Sequence, residues 1–575
     1  MCQWITCRVK QLFSRVRFLY LIIVHTGNIP CYLMILVSGY SYAAPSPAER
    51  NIIQLEQQQL LERSQQQRDE LQIITPKLMM PPSPSLSQPQ PCFVISRIAY
   101  LDSTLLSSAV QQHLNSPYIG QCLSLIKINK LLADISNYYI ERGYITSRAF
   151  LTEQDLAEGV LNIRILEGKL EDIQFNHHNA SMLMMAFPHL KGEMLNLRDI
   201  EQGMEQINRL RTRQVQIEIL PGSKPGYSIV NLTSQPKFPL TFALGNDNSG
   251  QKSTGVSQLN ASVNADNLLG FADQWFVAGS HSSEFSNSHN ARSLQAGVSV
   301  PFGYWNIDYS YAWSDYLNVI PDRNYSWRST GDSRIHRGTL SRVVFRNANM
   351  KTALSFGITH RVSQNYLDAV RLQSSSRNLS SGIIGISHSQ KLFGGLATFN
   401  PTFSRGTPWF GAENDDLKNG DVPQAEFNKW ALSASYYHPL NDSVSYLTSL
   451  YGQHSNDRLY GSEQLTLGGE SSVRGFKEQY LSGNNGGYWR NEVSWQALQL
   501  PLLGNLSLIA ALDGGWLKHD KQDKHAEGTL WGSAIGITSN GRYFSSQFTV
   551  GKPLCYPGWL KPDNTTFYYR IGIVI

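Results

Sequence analysis

Leu467 to Trp489 reads LGGESSVRGFKEQYLSGNNGGYW. It sets the tetrad Val473, Arg474, Gly475 and Phe476 inside a glycine-rich loop, with alternating apolar and polar segments on both sides. A guanidinium stays charged at physiological pH, so a loop that turns it inward must give it a carboxylate or backbone carbonyls. The nearest suitable acid is Asp513, in Asn505 to Trp516 (NLSLIAALDGGW), where Leu506, Leu508, Ala510 and Leu512 alternate with Ser507, Ile509, Ala511 and Asp513. As a barrel strand this segment turns its leucines to lipid and Asp513 to the lumen, within reach of an inward-folded loop. Taken alone, the tetrad is also an ordinary Arg-Gly turn and Asp513 an ordinary strand-end acid. The surroundings decide between these readings.

From about Lys237 to the end no helix is legible, and short alternating segments follow one another. Leu294, Ala296, Val298 and Val300 oppose Ser293, Gln295, Gly297 and Ser299; Trp305, Ile307, Tyr309 and Tyr311 oppose Asn306, Asp308 and Ser310. Leu259, Ala261, Val263 and Ala265 likewise alternate with Gln258, Asn260, Ser262 and Asn264. One such strand also suits a soluble sandwich. Repetition over more than 300 residues, with apolar and aromatic side chains on one face and small polar ones on the other, is what a lipid-facing barrel requires. At roughly 20 residues per strand and connection, the segment predicts a transmembrane antiparallel β-barrel of about 16 strands.

Composition agrees. Charged residues are 16% of the chain, well below the quarter usual in soluble domains, while aromatics are 11% and glycines number 45. At 575 residues the chain is also too long for one soluble core.

The start of the chain reads as an export signal. Residues 1–43 carry Arg8, Lys10, Arg15 and Arg17, no acids, and two apolar runs, with Ser41 and Ala43 at small-residue cleavage positions. Gly27, Asn28 and Pro30 interrupt the apolar stretch before it reaches the length of a membrane anchor. Losing this segment lowers the formal net charge from +5 to +1, too little to imply a nucleic-acid partner. Cys2, Cys7 and Cys31 leave with it. Export to an oxidising compartment then predicts a bridge between Cys92 and Cys122, the alternative being two unrelated buried thiols, with Cys555 left over.

Within residues 44–73, Ala48 to Gln72 is rich in Glu, Gln, Leu and Arg and contains neither Gly nor Pro, which predicts a helix. It has too few apolar residues for a buried core, so it suits solvent or a water-filled lumen. Residues 74–91 form a Pro-rich linker, with six prolines from Pro76 to Pro91. Two α+β modules follow, expected at 92–169 and 170–236. The first reads as one strand over Phe93–Tyr100, a helix over Ile126–Arg142, and strands over Ser147–Leu151 and Val160–Glu167. The second repeats the order with strands over Leu170–Phe175, Val215–Leu220 and Tyr227–Leu232 around a helix carrying Leu197, Ile200, Met204, Ile207 and Leu210.

These motifs, in this order, resemble the outer-membrane transporters of two-partner secretion, the TpsB family with two POTRA modules and a barrel. The first module is similar in Cys92, Cys122, ERGYITSRAFL (Glu141 to Leu151), Gln154-Asp155-Leu156 and ILEGKLEDI (Ile165 to Ile173). The barrel is similar in GNDNSGQKSTG (Gly245 to Gly255), DNLLGFADQ (Asp266 to Gln274), VRGF and LDGG. Transporters for contact-dependent inhibition toxins offer the nearest resemblance, followed by haemolysin and adhesin transporters. The resemblance implies periplasmic POTRA modules, an N-terminal plug helix, and a VRGF loop inside the barrel (237–575) with Arg474 paired to Asp513. It further implies export of a large unfolded TpsA-type exoprotein captured by the POTRA modules, outer-membrane lipid around the barrel, and insertion by the barrel-assembly machinery. The C-terminus departs from the usual aromatic ending: the chain closes on Ile575, after Phe567, Tyr569, Ile571 and Ile573 on one face.

No cofactor is expected. GGESSVRG lacks the Gly-Lys-Ser/Thr ending of a P-loop, no G-x-S-x-G elbow occurs, and His177 and His178 are adjacent without a second ligand pair, so neither an enzyme nor a metal site is predicted. Two other classes remain as alternatives. A barrel-assembly factor of the same superfamily would carry VRGF but more POTRA modules or no plug, and a passive porin would lack the modules.

Overall fold

The computed structural model describes residues 45–72 and 91–575, except 179, 236, 324, 417–421, 521–522 and 524. The expected signal (1–43) and, apart from Pro91, the Pro-rich linker lie outside the described residues.

Helix α1 spans Pro47–Gln72. Its start is set locally: the backbone N–H of Ser46 donates to Glu49 Oε2 at 2.9 Å, and that of Glu49 donates to Ser46 Oγ at 3.3 Å. This reciprocal box satisfies two donors that a helix leaves orphaned, and Pro47 sits where its missing N–H costs nothing.

The first module runs β1 (Cys92–Val94), β2 (Arg97–Leu101), α2 (Ser108–Asn115), β3 (Cys122–Ser124), α3 (Leu125–Glu141), β4 (Arg148–Leu151) and β5 (Val160–Leu166). The strand expected over Phe93–Tyr100 is in fact two. Cys92–Val94 pairs with β3, whereas Arg97–Leu101 joins the sheet β2-β5-β4. Ile95 separates them, and the N–H groups of both Ser96 and Arg97 turn to the Gly159 carbonyl. α3 lays Ile128, Leu131, Ile135 and Tyr139 against Leu161, Ile163 and Ile165, the periodicity of 3.6 meeting that of two. At the end of β5, Glu167 accepts from the N–H groups of Thr104 (2.9 Å) and Leu105 (3.0 Å) and from the Tyr139 hydroxyl (2.8 Å). Burial alone would raise its pKa. The hydrogen bonds outweigh it and hold Glu167 below the usual carboxylate range.

The second module runs β6 (Lys169–Phe175), α4 (Ser181–Ala186), α5 (Leu197–Asn208), β7 (Gln216–Pro221) and β8 (Tyr227–Thr233), in sheet order β6-β8-β7. Asn196 caps α5 by accepting from the Arg198 N–H at 2.9 Å. This module is seated on the barrel rim. Arg209 donates to the Ala272 carbonyl (2.8 Å) and Asn306 Oδ1 (3.1 Å), Thr212 binds Asp266, and the Tyr304 hydroxyl reaches Asp199 at 2.5 Å.

Sixteen antiparallel strands, from Leu240–Asp247 to Thr566–Val574, close into a barrel. Each strand bonds the next in sequence, and the last pairs with the first from Arg570↔Asp247 to Val574↔Ala243. A short strand, Val370–Arg371, lies at one rim. Two-residue connections such as Phe393-Gly394 take positive φ at both positions, which matches the twist of the strands they join. Ile307, Phe356, Ile384 and Ile535 are more than half exposed on the outer face of the barrel, the face that a membrane barrel turns to lipid. Phe567 and Ile573 on the final strand point the same way.

Cys92 and Cys122 are disulfide-bonded, with Cα atoms 5.3 Å apart, and Cys555 takes no part in a disulfide. The bond ties three-residue β1 to β3 across 30 positions. In the chain-entropy model, a loop of this length contributes about 3.7 kcal/mol. A Cys92→Ser, Cys122→Ser variant should therefore lower the unfolding transition of the first module by about that amount and leave the barrel transition in place. Calorimetry of the intact protein in detergent measures both, and an unmoved first transition would show the bond to be energetically idle.

Candidate functional site

Two segments occupy the lumen: the long loop after the strand Val444–Ser455, and α1. The loop is held chiefly by apolar burial and close backbone contact. Its short strands Leu465–Leu467 and Leu481–Gly483 pair, and Val473 and Phe476 are fully buried with Leu465, Leu467, Leu481, Tyr488, Leu517, Leu530 and Leu560. Gly475 has φ +100°, and a Cβ there would meet the Lys552 backbone at 2.7 Å, so only glycine fits. The wall answers with glycines of its own: a Cβ on Gly532 would come within 1.8 Å of the Arg474 carbonyl oxygen. The Tyr568 hydroxyl completes the seat by donating to the Phe476 carbonyl at 3.2 Å.

Arg474 lies at the centre of this seat. Its Nε donates to Asp513 Oδ2 at 2.7 Å, Nη2 to Oδ1 at 2.8 Å, and its backbone N–H to Oδ2 at 3.1 Å. Asp513 is fully buried and Arg474 nearly so. A second carboxylate, Glu492 Oε2, accepts from Nη1 at 2.7 Å. Glu492 was not foreseen in the sequence. Its signal is present, because Tyr488, Arg490 and Glu492 alternate onto the lumen face of the strand Gly486–Leu500, where Arg490 is the register partner of Asp513.

α1 is attached differently. Ala48, Ile52, Ile53 and Leu71 are buried, and the rest of its hold on wall and loop is polar. Glu56 Oε1 accepts from Arg337 at 2.6 Å and Arg361 at 3.3 Å. Arg361 also donates to the Ser462 carbonyl at 2.7 Å and lies 3.7 Å from Glu463, which binds Lys429 at 2.5 Å. Near the other end, Lys351 bridges Glu70 of α1 (2.8 Å) and Glu205 of α5, and Glu205 also takes Arg346 at 2.5 Å. Gln67 exchanges amide hydrogen bonds with Asn400 (3.1 and 3.2 Å), and Gln57 donates to the Thr466 carbonyl (2.8 Å). Between α1, the loop and the first and last barrel strands a cavity of about 650 Å³ remains, lined by Asn51, Gln58, Asn260 and Gln295 among others. His177 and His178 sit in a turn of the second module, and no group of metal-ligating side chains occurs among the described residues.

Residues 226–539 match the family described as haemolysin secretion/activation protein ShlB/FhaC/HecB, residues 93–168 match a ShlB-type POTRA domain, and residues 169–221 a POTRA domain. The chain is 55% identical to the outer membrane transporter CdiB of Dickeya dadantii over 549 residues, 95% of this chain and 98% of that protein. It is 31% identical to the hemolysin transporter protein ShlB of Serratia marcescens over 459 residues, 79% and 80% of the two chains. The solved structure of CdiB from Escherichia coli superposes with a TM-score of 0.90 at 53% identity, covering 93% of this chain and all of that one. An outer-membrane barrel carrying periplasmic POTRA modules is thus the class defined by fold and comparison together. The chain belongs to the ShlB/FhaC/HecB family of two-partner secretion transporters, and its role is exoprotein export across the outer membrane.

The buried ion pair yields a quantitative expectation. Removing Arg474 strands the buried Asp513 charge, and removing Asp513 leaves the guanidinium only the partly exposed Glu492, a loss of up to about 3 to 5 kcal/mol. Arg474→Ala and Asp513→Ala should each lower the heat stability of the purified barrel and secretion of its partner, and the double variant should be little worse than either. Strictly additive losses in this double-mutant cycle would exclude a coupled pair. Glu492→Gln should cost less, since Glu492 is about a quarter exposed and Asp513 keeps its two bonds to the guanidinium.

Proposed function

We propose that this protein exports an unfolded TpsA-type exoprotein by withdrawing α1 from the lumen, with POTRA capture of the partner and no nucleotide hydrolysis. One observation carries the reading: beside four buried apolar side chains, Ala48, Ile52, Ile53 and Leu71, α1 is held by hydrogen bonds and ion pairs that water can replace, whereas the neighbouring loop is buried in a larger apolar cluster. Polar contacts exchange with solvent at small net cost, about 1 kcal/mol each, and apolar burial does not. The linker after Gln72 keeps a departed α1 attached.

The partner is captured on the modules by strand addition. β4 and β7 each bond a neighbouring strand on one side only, and Phe150 and Leu151 of β4 are exposed apolar side chains. Identity above 50% with CdiB, against 31% with ShlB, favours an exoprotein of the contact-dependent inhibition type over a haemolysin. Folding of the exported chain outside the cell supplies the direction.

Deleting residues 47–72 should raise single-channel conductance in planar bilayers several-fold. Unchanged conductance from a correctly folded barrel rejects α1 as a plug. Phe150→Asp should reduce partner secretion several-fold at equal barrel abundance and melting temperature, and wild-type secretion from that variant would remove β4 as the capture edge.

A further inference from the structure

The charged contacts between α1 and its surroundings are asymmetric. The acids of α1 meet cations: Glu56 lies between Arg337 and Arg361, and Glu70 meets Lys351. Of its bases, Arg50 and Arg68 meet neutral oxygens, namely the Lys477 carbonyl at 2.9 Å, the Gln251 amide at 3.4 Å and the Ser435 hydroxyl at 2.6 Å, while Arg63 lies near both Arg337 and the wall acid Asp308. Taking α1 away therefore uncovers cations on the wall. Two of the three keep a carboxylate, since Arg361 retains Glu463 and Lys351 retains Glu205. Arg337 retains the Thr359 hydroxyl at 3.3 Å, a neutral acceptor, while the nearby Glu463 is already taken by Lys429 and Arg361.

We infer that Arg337 is a docking point for the acidic side chains of the exported polypeptide, and that Glu56 holds this place while α1 is seated. The inference rests on the reading that α1 leaves the lumen. Arg337 stands on the strand Tyr325–Arg346, in register with the small, uncharged Ser310 and Thr359 on the two neighbouring strands, and the nearby Asp308, two residues from Ser310, is held by Ser299 and Asn306. Its side chain is 30% exposed even beneath α1, which leaves room for an incoming group. A guanidinium presents a rigid fork matched to a carboxylate, and charged side chains lining a pore select the sign of what enters it. α1 shows the chemistry in place, because it is itself a polar segment of chain whose carboxylate on a flexible stem occupies the fork. A passing Glu or Asp finds the same fork, whereas a passing Lys is repelled by it. One exchangeable contact slows a chain without trapping it, as conduction through a pore requires.

The test uses the full-length Glu56→Gln, Glu70→Gln protein in planar bilayers, with hexaglutamate or hexalysine added on the POTRA side. The double substitution should first raise the current over the parent protein; no rise removes the reading of α1 as a releasable plug, and the inference with it. Given an open pore, hexaglutamate should block at a concentration about tenfold lower than hexalysine. Adding Arg337→Gln should erase most of that preference, and adding Arg337→Lys should retain it. Equal block by the two peptides, or a preference that survives Arg337→Gln, overturns the inference while leaving the export reading standing.

Discussion

A backbone that crosses hydrocarbon must find all its hydrogen-bond partners within the protein, because lipid offers none. That constraint closes the sheet, and closing sixteen strands creates a wide polar interior. Everything distinctive in this chain answers the question of how to fill it. The lumen face is built of Ser, Thr, Asn and Gln side chains, so whatever sits inside must satisfy polar groups as well as occupy volume.

The chain uses two solutions of different permanence. The VRGF loop brings its own apolar cluster into the barrel and lays its backbone on wall glycines, and the Arg474 and Asp513 pair then sits where water cannot replace it. α1 brings chiefly carboxylates, amides and guanidinium groups. Its two anchoring acids lean on cations that also serve the loop, through Arg361 and Glu463, and the second POTRA module, through Lys351 and Glu205. The helix is therefore electrostatically coupled to both neighbours, and a shift of either redistributes the same positive charge.

Much of this was legible in the chain. The barrel follows from alternation repeated over more than 300 residues, a period that neither a helix nor a loop sustains. Arg474 and Asp513 were legible as a pair because a charged side chain in an inward loop must find a countercharge, and alternation turns Asp513 inward. The partners of α1 were not legible. Glu56 and Arg337 are 281 positions apart, and their meeting depends on the rotation and depth of a rigid helix inside the barrel. The split of the run Phe93–Tyr100 is not legible for a local reason: the run holds no Gly or Pro to mark the break at Ser96, but Cys92 is bound to Cys122 and draws its neighbours to β3, away from the sheet that Arg97–Leu101 joins. The sequence does not single out Glu492, because one acid already balances the arginine's charge, whereas a buried guanidinium with five donors has room for two.

The position of the disulfide has a mechanical side. Eighteen residues separate Gln72 from Pro91, a span of at most about 68 Å when fully drawn out. Any pull exerted through that tether arrives at Cys92, the first residue of a strand held by only three residue pairs. Three ladder pairs loaded from one end would unzip in turn. The covalent bond at that first residue carries the load directly into β3 and the start of α3, so tension on the tether is delivered to the module as a whole body instead of peeling away its edge.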